Sequence, residues 1–299
     1  MIYTVTFNPA VDHVIHTGDI ISGKVNRSVS EQVFFGGKGI NVSLVLKELG
    51  VKSKALGFAA GFTGDAIVAY LSENGIENDF VRLKKGFSRI NVKIKAGTET
   101  EINSSGPDIS AEELEILLEK LDTLTEGDIL VLAGSIPPSL PSDTYEMILR
   151  RLSGKGILFA VDATKELLLN VLKYRPFLIK PNNFELEEIF GVPMKTDADI
   201  EKYARKLHEM GAENVLVSMA ENGAMLIDST DKLYRCGVCR GTPVNSVGAG
   251  DSMLAGFIAG SLENDSEYAL RLGTAAGGAT VFSPGLASAD SITRLLSTL

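Results

Sequence analysis

Cysteine and histidine are scarce in this sequence, which has two cysteines and three histidines among 299 residues. Cys236 and Cys239 form a C-x-x-C pair, but a structural zinc site needs two more ligands and every histidine lies far away in the chain. A redox pair would normally follow a strand and open a helix, which this segment does not. We therefore expect both cysteines to be incidental thiols, since cytosolic disulfides are rare.

Long apolar runs and an excess of positive charge are also missing. No apolar stretch approaches the length that spans a bilayer, and the N-terminus reads as a strand rather than as a secretory signal. The net charge of −9 argues against nucleic-acid and anionic-membrane partners. The hydrophobic content of 44% is that of an ordinary globular protein. These features predict a cytoplasmic protein.

Strand and helix patterns alternate through most of the chain. Strands are predicted at 2–7, 54–59, 128–133, 157–161, 177–180 and 214–218, and helices at 38–49, 64–74, 142–152, 164–173, 183–190 and 197–210. This alternation predicts a mostly parallel sheet covered by helices on both faces. Residues 11–35 and 80–102 instead carry strand patterns without a helix, and apolar and polar residues alternate in 89–95. We expect these two segments to form a small second sheet with one wet face.

The most informative motif is Gly248-Ala249-Gly250-Asp251, which leads into the apolar segment 253–260. Glycines let backbone N–H groups point the same way, and a helix N-terminus adds unpaired donors and partial positive charge. A carboxylate beside such an anion site suits phosphoryl transfer to an alcohol. The alternative is an ordinary loop in which Asp251 caps the helix.

A second glycine cluster, Gly36-Gly37-Lys38-Gly39-x-Asn41, precedes another predicted helix. Its glycines would let a polyol or a phosphate approach the backbone, and Lys38 supplies a compact charge. A dinucleotide fingerprint would need Gly or Ala where Val42 stands, and it would lie in the first strand–helix turn. The dehydrogenase alternative is therefore weak, and the sequence contains no P-loop motif.

Together, and in this order, the two clusters resemble the signatures of the ribokinase-like sugar kinases, the phosphofructokinase B family. The resemblance covers essentially the whole chain. It implies one kinase domain over 1–299, a three-layer α/β/α fold with a mostly parallel sheet, and a small β-sheet lid from about 11–35 and 80–102. The lid implies a homodimer.

The family's usual Asp-Thr before the glycines is Asn245-Ser246 here, and the N-terminal segment 4–12 reads TVTFNPAVD. Both features resemble those of the family branch that acts on ketohexose phosphates, in particular those of the bacterial 1-phosphofructokinases. The implied reaction is transfer from ATP, with Mg²⁺, to fructose 1-phosphate, giving fructose 1,6-bisphosphate. Tagatose 6-phosphate and fructose 6-phosphate stay open as acceptors, as does a catalytically inactive sugar-phosphate-binding regulator.

The resemblance implies that Asp12 accepts hydrogen bonds from sugar hydroxyls, although an Asx turn is the alternative. It also implies that Arg89 and Lys38, with Arg27, hold the substrate phosphate. Further acceptor contacts are implied for Gly36, Gly37, Gly39, Asn41 and Ser135.

On the donor side, Glu185 would act on Mg²⁺ through water, and Asn182 would lie near the nucleotide phosphates. Their spacing fits a helix cap equally well. Other expected nucleotide contacts are Lys180, Ser218, Gly223, Ser246, Gly248, Gly250, Ala276 and Gly277, of which the last two could instead serve tight helix packing. Asp251 is expected to be the base, and a weak one, because a helix N-terminus stabilises a carboxylate.

Overall fold

The computed structural model describes residues 1–299, which form two β-sheets and ten α-helices. The larger sheet contains β1 (Ile2–Thr6), β4 (Ser53–Ala60), β5 (Glu77–Asn78), β6 (Val81–Leu83), β9 (Ile129–Ala133), β10 (Leu158–Asp162), β11 (Leu178–Ile179), β12 (Val215–Ser218), β13 (Ala224–Ile227) and β14 (Leu233–Cys236). The smaller sheet, called the lid, contains β2 (Ala10–His16), β3 (Ser30–Gly36), β7 (Arg89–Lys95) and β8 (Glu99–Ile102). The helices are α1 (Lys38–Glu48), α2 (Gly61–Glu73), α3 (Ala111–Leu121), α4 (Thr144–Leu152), α5 (Lys165–Val171), α6 (Asn183–Phe190), α7 (Asp197–Glu209), α8 (Ala249–Ser261), α9 (Ser266–Val281) and α10 (Ala289–Leu296).

The larger sheet has the strand order β14-β13-β12-β11-β10-β9-β1-β4-β5, and β6 also pairs with β4. All neighbours are parallel except at one edge, where β12, β13 and β14 are antiparallel. The strands β1, β9 and β10 are buried on both faces, as expected for a central parallel sheet. Their carboxyl ends therefore meet at one edge, where polar side chains can converge.

Helices cover both faces of this sheet, which confirms the predicted three-layer architecture. Alternate residues of β9 point into two different cores. Leu130 and Leu132 belong to a core of 39 buried residues that includes side chains of α3 to α7. Ile129 and Val131 belong to a second core of 27 buried residues that includes side chains of α1, α8, α9 and α10. Close packing of α8 on α9 depends on small residues, since a Cβ on Gly256 would lie 2.7 Å from the Leu272 carbonyl oxygen. The glycine motif thus opens a rigid, deeply buried helix.

The lid is smaller than the predicted one. Its order is β3-β2-β7-β8, and the segment 17–29 that joins β2 to β3 forms no strand. The prediction that 80–88 belongs to the lid is wrong, because β6 pairs with β4 at the edge of the larger sheet. A short apolar strand carries no signal that says which sheet it joins, so sequence periodicity could not separate β6 from β7.

Most predicted elements are confirmed to within a few residues, including the C′ position of Gly50 after α1, where φ is 75°. Helix α8 begins earlier than the apolar pattern indicated, at Ala249, so Asp251 lies in its first turn. None of the helices is both long enough and apolar enough to cross a bilayer.

Candidate active site

The glycine motif forms a turn with free backbone donors. Gly248 is the N-cap residue of α8 and has a φ of 81°, a conformation that favours glycine. The Ala249 amide donates to the Ser246 carbonyl oxygen, but the amides of Gly248, Gly250 and Asp251 have no acceptor within the protein. The three unpaired N–H groups at a helix N-terminus have the geometry expected of an anion-binding turn, and anion binding itself stays a prediction.

Asp251 is not the cap of this helix. The N-cap position is occupied by Gly248, which makes no side-chain cap bond, and the Asp251 side chain points away from the free amides of its own turn. Its Oδ2 accepts a hydrogen bond of 2.8 Å from Nδ2 of Asn41, in the other glycine cluster. The capping alternative for Asp251 is therefore wrong, and the two glycine motifs meet through these two side chains.

The pKa of Asp251 is raised, contrary to the expectation that the helix N-terminus makes it a weak base, and its role as the base stays a prediction. Only 5% of the residue is exposed, and this burial, reinforced by the negative charge of Asp162, raises the pKa of Asp251 to about 6. The Asn41 hydrogen bond and the charges of Lys38 and Lys180 act in the opposite direction but do not cancel the effect. Loss of water around the carboxylate thus outweighs the favourable helix N-terminus.

Asp162, which the sequence reading did not select, ends β10 directly beneath this turn. It is 2% exposed and lies between two ammonium groups, 3.1 Å from Lys38 Nζ and 3.5 Å from Lys180 Nζ. A Cβ on Gly250 would be 3.2 Å from Lys180 Nζ, so that lysine also faces the glycine turn. Asp162 therefore fixes two cations beside the anion-binding turn. Its position at the carboxyl end of a buried strand was the available signal.

Asn182 and Glu185 form the helix cap that their spacing predicted. Asn182 Oδ1 accepts from the Glu185 amide at 2.8 Å, and Glu185 Oε2 accepts from the Asn182 amide at 2.9 Å. Burial raises the pKa of Glu185 despite this backbone hydrogen bond. Both residues nevertheless face the same cavity as the glycine turn, so the cap does not exclude a binding role.

This cavity, called the glycine-loop cavity, has a volume of about 920 Å³. Most residues predicted to bind the nucleotide line it: Lys180, Asn182, Glu185, Ser218, Gly223, Ser246, Gly248, Gly250 and Gly277, together with Lys38, Ala249, Asp251 and Asp162. Ala276 does not line it; the residue is fully buried and packs near Gly256 of α8, which supports the helix-packing alternative for that position.

A second cavity of about 760 Å³, called the lid cavity, lies beneath the lid. Asp12, Gly36, Gly37 and Asn41 line it, as predicted for acceptor contacts. The polar face of β7 also lines it, through Lys93 and Lys95. Asp12 is held by Asn91 and Lys93, two residues that the sequence reading did not select although they lie on the wet face it described.

The two cavities adjoin at the glycine motifs. Gly37 lines the lid cavity and its neighbour Lys38 lines the glycine-loop cavity, and the same alternation separates Asn245 from Ser246. Asn41 faces the lid cavity, whereas its hydrogen-bonding partner Asp251 faces the other. A carboxylate with a pKa near neutrality thus stands where one compartment opens into the next.

Four of the predicted acceptor residues lie outside both cavities. Arg89 is half-buried at the start of β7 and donates from Nε to the Asn8 carbonyl oxygen at 3.1 Å. Gly39 lies in the first turn of α1 against β1, where a Cβ would be 2.7 Å from the Val5 carbonyl oxygen. Ser135 and Arg27 are exposed. Lys38 pairs with Asp162 and Arg89 donates to the Asn8 carbonyl oxygen, so the two predicted phosphate cations have different partners.

Cys236 and Cys239 are buried free thiols. Burial raises the pKa of Cys239 to about 11, and its Sγ lies 3.6 Å from the Thr274 carbonyl oxygen. A thiol with so high a pKa is almost entirely protonated at neutral pH and is a poor nucleophile.

Comparison with known proteins agrees with this geometry. Residues 5–293 match the pfkB family of carbohydrate kinases. The chain is 48% identical to a 1-phosphofructokinase of Bacillus subtilis, over 99% of this chain and 97% of the relative. It is 36% identical to a D-tagatose-1-phosphate kinase of Bacillus licheniformis, over 99% and 98%. The phosphofructokinase-2 of Escherichia coli, solved in complex with fructose-6-phosphate, superimposes with a TM-score of 0.92 at 28% identity, covering 100% of this chain and 98% of the other.

A kinase family model that spans nearly the whole chain excludes the dehydrogenase alternative. It also agrees with a glycine turn that has free amides, two lysines held by Asp162 and a buried carboxylate between two cavities, an arrangement that suits phosphoryl transfer to a sugar. The fold is ribokinase-like, as the motifs predicted. The chain belongs to the pfkB family of carbohydrate kinases.

Proposed function

We propose that this kinase transfers the γ-phosphoryl group of ATP to a ketohexose phosphate, with fructose 1-phosphate as the acceptor and fructose 1,6-bisphosphate as the product. One observation carries the proposal: the Asn41–Asp251 hydrogen bond joins a cavity under the lid to a cavity at the glycine turn. A bound acceptor and a bound donor would then meet at Asp251. The names of the relatives support a phosphorylated ketohexose as the acceptor.

The donor would lie in the glycine-loop cavity with its phosphates on the free amides of Gly248, Gly250 and Asp251. Lys180 would add charge beside them. Glu185 lines this cavity and would hold Mg²⁺ through water. Burial raises the pKa of this carboxyl, and a bound cation would favour the ionised form. When bound, Mg²⁺ would neutralise charge on the phosphates.

The acceptor would lie beneath the lid with hydroxyls on Asp12 and its free primary hydroxyl near Asp251. Asp251 would accept the proton of that hydroxyl as the oxygen attacks the γ-phosphorus and the bond from this phosphorus to the bridging oxygen breaks, releasing ADP; Asn41 keeps the carboxylate in place. The amides of the glycine turn stabilise the charge that develops on the transferred group. Gly36, Gly37, Gly39 and Ser135 remain predicted acceptor contacts, and Arg89 and Lys38 remain the predicted phosphate cations.

Turnover of four acceptors with Mg-ATP tests this function. We expect kcat/KM to be highest for fructose 1-phosphate and at least about tenfold lower for fructose 6-phosphate, tagatose 6-phosphate and tagatose 1-phosphate, since one misplaced polar contact costs about 1.4 kcal/mol or more. A higher value for any of the other three would reassign the substrate. Tight binding of all four without turnover would instead favour the inactive regulator.

We also propose that two copies of the chain associate through their lids. On the face of the lid opposite Asp12, Ile102 is 58% exposed and lies outside the lid cavity. In the segment between β2 and β3, Val25 is 86% and Val29 82% exposed. Exposed apolar side chains of this kind favour packing against a second sheet, and a copy of the same lid would supply one. Arg27, next to these valines, would then lie close to the partner.

Light scattering on wild type and on Ile102→Asp tests the dimer. Wild type is expected to have the mass of two chains, and the variant the mass of one, because a carboxylate cannot be buried unpaired between two apolar sheets. Leu262→Asp is the matched control: Leu262 is 51% exposed but ends α8, far from the lid in the fold. A monomeric wild type, or dissociation by both variants alike, would contradict the proposal.

A further inference from the structure

The side chain of Asp12, in β2, is held by residues of the neighbouring strand β7. In the lid, β2 and β7 are parallel with Asp12 opposite Asn91, so both side chains lie on the cavity face. Asn91 Nδ2 donates to Asp12 Oδ1 at 2.7 Å, and Lys93 Nζ lies 3.5 Å from Asp12 Oδ2. Each carboxylate oxygen therefore has its own partner on β7.

Asn91 has no alternative orientation available. It is 6% exposed, and its Oδ1 accepts a hydrogen bond of 3.3 Å from the Ser104 amide while its Nδ2 serves Asp12. Rotating the amide by half a turn would break both bonds and leave a buried backbone donor without a partner. Asn91 thus presents one fixed donor to Asp12 whether or not a sugar is bound.

Lys93 is held loosely between two carboxylates. Its Nζ lies 3.5 Å from Asp12 and 3.8 Å from Glu101, both longer than the usual charge-assisted hydrogen bond of about 2.7–2.9 Å. Only 12% of the side chain is exposed. The neighbouring Lys95 instead pairs closely with Glu99, at 2.7 Å, and makes no contact with Asp12. Of these two lysines, Lys93 is therefore the one whose charge acts on Asp12, and the Asp12 charge also acts on Arg89.

We infer that Asn91 and Lys93 are positioning residues for the acceptor: Asn91 fixes the Asp12 carboxylate, and Lys93 offsets its charge so that it can bind a sugar that already carries a phosphate. The inference rests on the proposed function because it assumes that the acceptor is a ketohexose phosphate. A carboxylate alone would bind sugar hydroxyls but repel the phosphate dianion of the same molecule, and in a cavity of limited solvation this repulsion is strong. A lysine beside the carboxylate removes the repulsion and leaves the oxygen free to accept hydrogen bonds.

The variants Lys93→Gln and Asn91→Ala test the inference. Both variants should weaken the binding of fructose 1-phosphate by about 10- to 100-fold, which is the effect of losing a hydrogen bond to a charged group. This loss should appear as a higher KM for the sugar phosphate. The KM for ATP and kcat should change by less than about threefold, because neither residue reaches the glycine-loop cavity. Lys93→Arg should restore most of the binding. Lys95→Gln is the matched control and should have a much smaller effect; equal losses from the two lysine variants would indicate general attraction and overturn the inference.

A double-mutant cycle separates action through Asp12 from direct contact with the phosphate. In an Asp12→Asn background, Lys93→Gln should cause less than about a threefold further loss, because no carboxylate remains to be offset. Fully additive losses would overturn the inference. Binding of fructose 1-phosphate is measured by calorimetry alongside turnover. If wild type binds but does not turn over this sugar, the proposed function fails while the cycle still decides the roles of Asn91 and Lys93.

Discussion

Replacing Asp251 with asparagine is expected to lower kcat by at least about 10²-fold, the lower range for loss of a general base. Asparagine has the same shape but cannot take a proton, and burial has given the native carboxylate a pKa of about 6, close to the working pH. Both substrates should still bind, because the free amides of the glycine turn belong to the backbone. Steady-state kinetics with Mg-ATP and fructose 1-phosphate measure the loss.

The pH dependence of the wild-type enzyme checks the same assignment. Below pH about 6, Asp251 is protonated in the free enzyme, so kcat/KM should fall by about tenfold per pH unit. The asparagine variant should lack this acidic limb. Since the pKa is raised in the folded state, the ionised carboxylate destabilises the fold as pH rises through about 6, and the variant should be at least as stable as wild type near neutrality.

Asp228→Asn is the control for a buried aspartate outside the site. Asp228 is 5% exposed, as Asp251 is, but it accepts hydrogen bonds from Thr230 and Lys232 in a turn far from either cavity. This variant should lose stability and keep its kcat. If Asp251→Asn retained most of its activity, Asp251 would be removed from the mechanism.

Replacing Asp162 with alanine is expected to destabilise the protein by about 3–5 kcal/mol, the cost of breaking a buried ion pair from one side. Lys180 is 5% exposed and would be left without its partner, and Lys38 would lose its hydrogen bond of 3.1 Å. The free energy of unfolding, measured by urea titration at neutral pH, gives this loss. Added ATP should offset part of it, because the phosphates would replace the missing negative charge.

A more exposed cluster of one aspartate and two cations supplies the control. Asp122 also lies between two cations, Arg151 and Lys155, but it is 36% exposed, so Asp122→Ala should cost no more than about 1 kcal/mol. Burial by itself would raise the pKa of Asp162, yet the two lysines hold it below its usual value of 3.8. The stabilisation is therefore complete above pH 3.8 and is lost as pH falls below it. Similar losses for Asp162→Ala and Asp122→Ala would show that burial is not what makes the Asp162 cluster important.

Much of the site could be predicted because its signals are local. Glycines at 248 and 250 predict a turn with free donors whatever packs around it, since the reason is the missing Cβ. The Asn182–Glu185 cap closes within one helical turn, so its spacing was sufficient. The alternation of strands and helices likewise gave the central sheet and its two helical layers.

The remaining features of the site depend on contacts between residues that lie far apart in the sequence. The sequence alone determined the family, the anion-binding turn and the residues around it. Only the tertiary structure brought Asp162 between Lys38 and Lys180, although the three residues come from separate parts of the chain, and buried Asp251 enough to raise its pKa above what its helix position implied. It also turned the polar face of β7 toward the cavity. The alternation of apolar and polar residues in a strand shows that its two faces differ. Which face lines the cavity, and how burial changes the pKa of each charged group, depends on the residues that the fold packs around it.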